Sequence, residues 1–238
     1  MIVRFMHDGK IRGGSYSEEH GIVSGGEVLA LEDVELLAPS QPSKIVCVGL
    51  NYTEHAKELK MQLPSEPVLF LKPPSAVLAP GKEIVYPQSS QQLDFEGELG
   101  VVIGKRCKSV PAADADGYIL GYTCFNDVTA RDLQNKDGQW TRSKSFDTFA
   151  PFGPWIAKID PSNVDIQTRV NGVVRQRSNT SDLIFGIPDL LEFISAIMTL
   201  EPGDVIATGT PPGVGPMSRG DRVEVEIEGI GVLENIVK

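Results

Sequence analysis

Positive charge is scarce in this chain of 238 residues: 22 Lys and Arg stand against 32 Asp and Glu, a net charge of −10. Nucleic acid and anionic membrane surfaces reward clustered Lys and Arg, so a sequence-independent grip on either is excluded as the main function. Long apolar runs are missing too, and none approaches the roughly 18 residues that a membrane-spanning helix requires. Met1 to Lys10 contains His7 and Asp8 and no apolar core of signal-peptide length, which predicts a cytoplasmic protein. Cysteine is sparse: Cys47, Cys107 and Cys124 are odd in number, lack Cys-x-x-Cys spacing and lie in apolar segments. They read as reduced core residues, not as a disulfide framework or a zinc site. The glycine-rich stretch 207–215 lacks the Lys-Ser or Lys-Thr of a nucleotide-binding loop, and no nucleophilic serine or cysteine motif occurs.

What is present is a strand-rich chain with many turns, carrying 24 Gly and 17 Pro. Residues 1–40 hold short strand-like pieces separated by Gly13-Gly14 and Gly25-Gly26, which predicts a small strand-rich module. The Pro- and Ser-rich segment 38–43 marks the boundary to a main body over 43–238. There, 221–228 alternates Val223, Val225 and Ile227 with charges, the pattern of a half-buried antiparallel strand with solvated glutamates. A long helix is predicted over 188–200, where Leu190, Leu191, Ile194, Ile197 and Met198 follow the helical period. A shorter one is predicted from Asn51, as a cap, to about Met61.

Candidate chemistry centres on Glu96-Gly97-Glu98, two carboxylates at alternate positions of an apolar strand. Residues two apart in a strand share a face, and two buried carboxylates side by side repel unless a cation or a proton intervenes. Asp127 closes the next apolar stretch, and three carboxylates make the all-oxygen donor set that Mg²⁺, Mn²⁺ or Ca²⁺ prefers. Alternating charge on a solvated edge strand would give the same triplet. His55 and Glu58, three apart on the short helix, share a face, which suits a general base oriented by a carboxylate and equally an exposed charge pair. Arg131 suits capture of a carboxylate and Lys144 the stabilisation of an oxyanion, although either also fits a surface cation. The polar stretch 134–141 reads as a mobile loop. Backbone N–H groups of 207–215 and the Thr210 hydroxyl offer a place for a substrate carboxylate, or simply form a turn.

Together, Val48-Gly49-Leu50-Asn51-Tyr52 with His55 and Glu58, then 66–73, Phe95-Glu96-Gly97-Glu98-Leu99-Gly100, 126–132, Lys144-Ser145-Phe146-Asp147 and Thr208-Gly209-Thr210-Pro211 form an ordered series. It resembles the fumarylacetoacetate hydrolase family, most closely its short acylpyruvate hydrolase and oxaloacetate decarboxylase branch. The resemblance implies a mainly β (α+β) fold, a layered mixed-sheet roll with few short helices, assembled as a homodimer. It implies Glu96, Glu98 and Asp127 as ligands of Mg²⁺ or Mn²⁺, with Ca²⁺ as a non-native occupant. His55, Glu58 and Lys144 are then catalytic, and Arg131, Gln134 and Thr210 contact a small anionic 2-oxo acid. The implied activity is metal-dependent cleavage of a C–C bond through an enolate, by acylpyruvate hydrolysis or oxaloacetate decarboxylation. Isomerisation or decarboxylation of a hydroxymuconate-type catabolite, dehydration of a sugar-derived 2-oxo acid, and a noncatalytic dicarboxylate- or metal-binding role are the alternatives.

Overall fold

The structure is a computed structural model that describes residues 1–58 and 60–238. Strands dominate, in three sheets with four short α-helices among the described residues. The centre of the largest sheet is the antiparallel pair Gly97–Ile103 and Ile119–Asn126, flanked by Val205–Ala207 and then, in parallel, by Ile45–Val48. Leu69–Lys72 forms the last strand on that side. Period-two alternation explains why these strands read as continuous apolar runs. Val46, Val48, Leu99 and Val101 pack into one core, while Ile45, Cys47 and Val102 pack into another on the opposite face. Each such side chain contributes roughly 1.5–3 kcal/mol by leaving water. All three cysteines are free and buried, as expected.

On its other side the sheet runs through Ala150–Ala157 into the N-terminal strand Ile2–His7, with Ile2 opposite Ile156. The strand-rich segment predicted over residues 1–40 therefore extends the main sheet, and Tyr16 packs against Trp155 with ring centroids 4.5 Å apart and planes tilted by 30°. A five-stranded sheet holds Asp165–Val170, Val173–Asn179, Arg222–Ile227 and Gly231–Val237. In it, Val223, Val225 and Ile227 face the core as predicted. Glu224 and Glu226 are not fully solvated, because both pair with Arg169 across the strands.

Helix α1 spans Thr53–Glu58, α2 Arg131–Asp137, α3 Thr141–Lys144 and α4 Ile187–Ile197. Three expectations are corrected. First, Asn51 does not cap α1: its buried side chain donates to the carbonyls of Thr208 and Phe185 and accepts from the Phe185 N–H, satisfying three backbone groups that would otherwise be orphaned. The predicted continuation of α1 to Met61 crosses Leu59, which lies outside the described residues. Second, most of 134–141 is not a loop, since α2 covers it to Asp137 and α3 resumes at Thr141. Third, α4 stops at Ile197, because Met198 turns extended and Leu200 exchanges two backbone hydrogen bonds with Cys107, each 3.0 Å.

Candidate active site and metal centre

The end of the central strand pair assembles the carboxylates. Gly97 lies opposite Asn126, and beyond this rung the Asp127 N–H donates to the Glu96 carbonyl at 2.8 Å. Glu96 itself leaves the ladder, its N–H donating to the Asn126 side chain at 3.0 Å. Glu98 follows two residues further in. Carboxylate oxygens of Glu96, Glu98 and Asp127 consequently lie within 4.8 Å of one another, and all three residues are buried. Gly97 between them is obligatory by packing: a Cβ there would meet Thr168 Oγ1 at 2.0 Å.

Two buried lysines share Asp127. Lys144 Nζ donates to Asp127 at 2.6 Å and to Glu96 at 2.9 Å. Lys72 Nζ pairs with the other Asp127 oxygen and donates to the Val128 carbonyl at 3.0 Å. Burial alone would lower the pKa of Lys144, but Asp127 and Glu96 outweigh it and raise it above the usual ammonium range. For Lys72 burial wins and the pKa falls. Glu96 is held well below the usual carboxylate range despite burial, because Lys144 and Arg131 both bond to it. Glu98 moves the other way: burial, Asp127 and Glu96 push its carboxyl far up, opposed by one N–H of Gly209 at 2.9 Å. No Lys or Arg among the described residues pairs with Glu98. An uncompensated buried carboxylate facing two others, all oxygen donors, fits a hard divalent cation.

Helix α1 places the second group. Glu58 accepts, so His55 Nδ1, 2.9 Å from Glu58 Oε2, carries the proton and Nε2 is left as the acceptor. Glu58 also accepts from the Gly213 N–H at 3.2 Å. Two N–H groups of 207–215 hold the protein's own carboxylates, Gly209 that of Glu98 and Gly213 that of Glu58, so at these two positions the stretch braces the site itself. Thr210 is likewise engaged, donating to the Gly97 carbonyl at 2.9 Å and accepting from Gln176 Nε2 at 2.8 Å.

His55, Glu58, Glu96, Arg131, Gln134, Lys144 and Thr210 all line one cleft of about 650 Å³, while Glu98 and Asp127 lie against Glu96. Arg131 Nε donates to Asp94 at 2.8 Å, and the guanidinium reaches Glu96 and Gln134 with its terminal nitrogens. Sequence reasoning did not single out Lys72 or Asp94 as site residues. Their signals were a cation closing the apolar run Leu69-Phe70-Leu71 and a third carboxylate in step with Glu96 and Glu98.

Comparison with known proteins shows the family. The family model "Fumarylacetoacetate (FAA) hydrolase C-terminal" matches residues 44–238. The chain is therefore an enzyme of the fumarylacetoacetate hydrolase family. Among curated relatives, an uncharacterized protein of Archaeoglobus fulgidus is 59% identical over 237 residues, covering 99% of this chain and 95% of that protein. The human mitochondrial oxaloacetate tautomerase FAHD2B is 46% identical over 224 residues, covering 88% of this chain and 71% of that protein. Among solved structures, 5-carboxymethyl-2-hydroxymuconate delta-isomerase from Mycobacterium smegmatis superposes with a TM-score of 0.92 at 48% identity, covering 99% of this chain and 97% of that one.

Proposed function

We propose that this enzyme acts on a small 2-oxo acid by moving a proton at the carbon beside the 2-oxo group, so that the substrate passes through its enolate. One observation carries the reading: a His–Glu dyad lines the same cleft as Glu96, the member of the buried three-carboxylate cluster that reaches it. When bound by Glu96, Glu98 and Asp127, Mg²⁺ or Mn²⁺ supplies a Lewis acid that draws electron density from the 2-oxo group. His55 Nε2 takes the carbon-bound proton, and Glu58 stabilises the imidazolium that results. Lys144, permanently charged, lowers the energy of the developing oxyanion. Arg131 and Gln134 form one wall and add positive charge and an amide to the lining. Return of the proton at a different atom gives a tautomerase or isomerase, the output that the names of two relatives carry.

Hydrolytic C–C cleavage of an acylpyruvate is the second reading, favoured by the partial exposure of the dyad at Glu58. His55 then takes a proton from water as the hydroxide adds to the distal carbonyl, and the C–C bond breaks to release an acid and pyruvate enolate, which is reprotonated. Metal-stripped protein incubated with enol-oxaloacetate and, separately, acetylpyruvate, with and without Mg²⁺ or Mn²⁺, tests both. Metal-dependent loss of enol absorbance without pyruvate supports the tautomerase; pyruvate from acetylpyruvate supports the hydrolase. No metal-dependent change in either substrate refutes the proposal.

A further inference from the structure

A second, more open groove of about 750 Å³ adjoins the catalytic cleft, and its lining includes Val68, Leu71, Pro73 and Pro74 beside Lys44 and Thr141. Among the described residues, Phe70 and Trp140 alone line both cavities. The wall they form is held from several sides. Trp140 meets Phe70 edge to face, with centroids 5.1 Å apart, and Lys144 Nζ sits 4.9 Å from the centre of the Phe70 ring. The indole also fills the space over Gly49, where a Cβ would lie 3.0 Å from it. The Trp140 carbonyl accepts from Lys144 N at 3.1 Å and from the buried Ser143 hydroxyl at 2.8 Å, so the short helix that carries Lys144 also holds the Trp140 backbone.

We infer that Trp140, backed by Phe70, is a partition that sets how long a substituent the catalytic cleft accepts, restricting the enzyme to 2-oxo acids with short tails. The inference rests on the 2-oxo acid reading above and adds a specificity-determining residue to it. A lone apolar wall discriminates by size, since a side chain that outgrows its pocket must displace packed atoms. Removing the indole joins the cleft to an apolar groove of comparable volume, which gives a longer alkyl tail somewhere to go.

The test compares 2-oxobutyrate with 2-oxooctanoate as substrates for enzyme-catalysed deuterium exchange at C3, using Mg²⁺-loaded wild type, Trp140→Ala and Trp140→Phe. The ratio of kcat/KM for 2-oxooctanoate to that for 2-oxobutyrate rises at least about tenfold in Trp140→Ala, through KM rather than kcat, and returns toward the wild-type value in Trp140→Phe. A second readout is tryptophan emission in Trp155→Phe, where Trp140 is the sole tryptophan of the two in the chain. Binding of 2-oxobutyrate shifts that emission. An unaltered length profile in Trp140→Ala, or emission that ignores the ligand while exchange proceeds, overturns the partition. Absence of exchange with every 2-oxo acid in the wild type overturns the functional reading and the partition with it.

Discussion

At the residue scale, the centre is defined by who compensates whom. Asp127 has two lysines and Glu96 has Lys144 and Arg131, whereas Glu98 has a single backbone N–H. Glu98→Gln removes the one carboxylate left for a metal ion to neutralise. Its expected outcome is a loss of Mn²⁺ affinity of at least tenfold by calorimetric titration, with the fold retained by circular dichroism. His55→Ala is expected to lower enolisation by about 10²–10⁴-fold while Mn²⁺ affinity stays at the wild-type value, because the imidazole is not among the candidate ligands. Weakened Mn²⁺ binding in that variant would contradict the division of labour. Lys72→Met strips Asp127 of one of its two buried partners and leaves Lys144, and is expected to cost about 1–3 kcal/mol in denaturant unfolding. The triad was legible in the sequence because carboxylates inside apolar strands are costly. Lys72 was not, since its partner Asp127 lies 55 positions away and only sheet pairing brings them together.

At the element scale, strands were readable wherever period-two alternation or a continuous apolar run marked them, as in 97–103 and 222–227. The helix over 131–137 was hidden by polar composition: Leu133 is its one buried residue, so it lacks the apolar face that signals a helix. Asn51 looked like a cap by local spacing, yet its partners at Thr208 and Phe185 come from distant segments. The linker 38–43 is pinned in a way that its Pro and Ser content did not foretell. The buried carboxylate of Asp204 accepts from Ser43 N and Oγ, from Lys44 N and Nζ, and from Glu201 N. Burial opposes ionisation there, but these donors prevail and hold the Asp204 pKa below its ordinary value. A folded pKa below the unfolded value of about 3.9 means that this stabilisation is complete above that pH and is lost as pH falls through the folded pKa. Asp204→Ala is expected to cost about 2–4 kcal/mol at pH 7 by chemical denaturation, with the gap to wild type narrowing as pH drops below about 4. A gap independent of pH would show that packing, not charge, holds the clasp.

At the scale of the whole molecule, one long sheet joins the N-terminal strands to the strand pair whose end carries the carboxylates, and α1 and α3 bring the dyad and Lys144 to the cleft that Glu96 lines. An ordered series of short motifs identified the family without revealing this topology, because periodicity reports which residues are buried and not which strands are neighbours. Nor did it reveal that the segment over residues 1–40 continues the main sheet through Ile2 and Ile156. Enolisation is the step that the proposed reactions share, and nuclear magnetic resonance of a simple 2-oxo acid in D₂O reads it whatever the final product. Mg²⁺-loaded protein is expected to exchange the C3 protons of 2-oxobutyrate far above the buffer rate, and to lose this on chelation, in Glu98→Gln and in His55→Ala. Exchange at the buffer rate by loaded wild type, or equally fast exchange after the metal is removed, would contradict it.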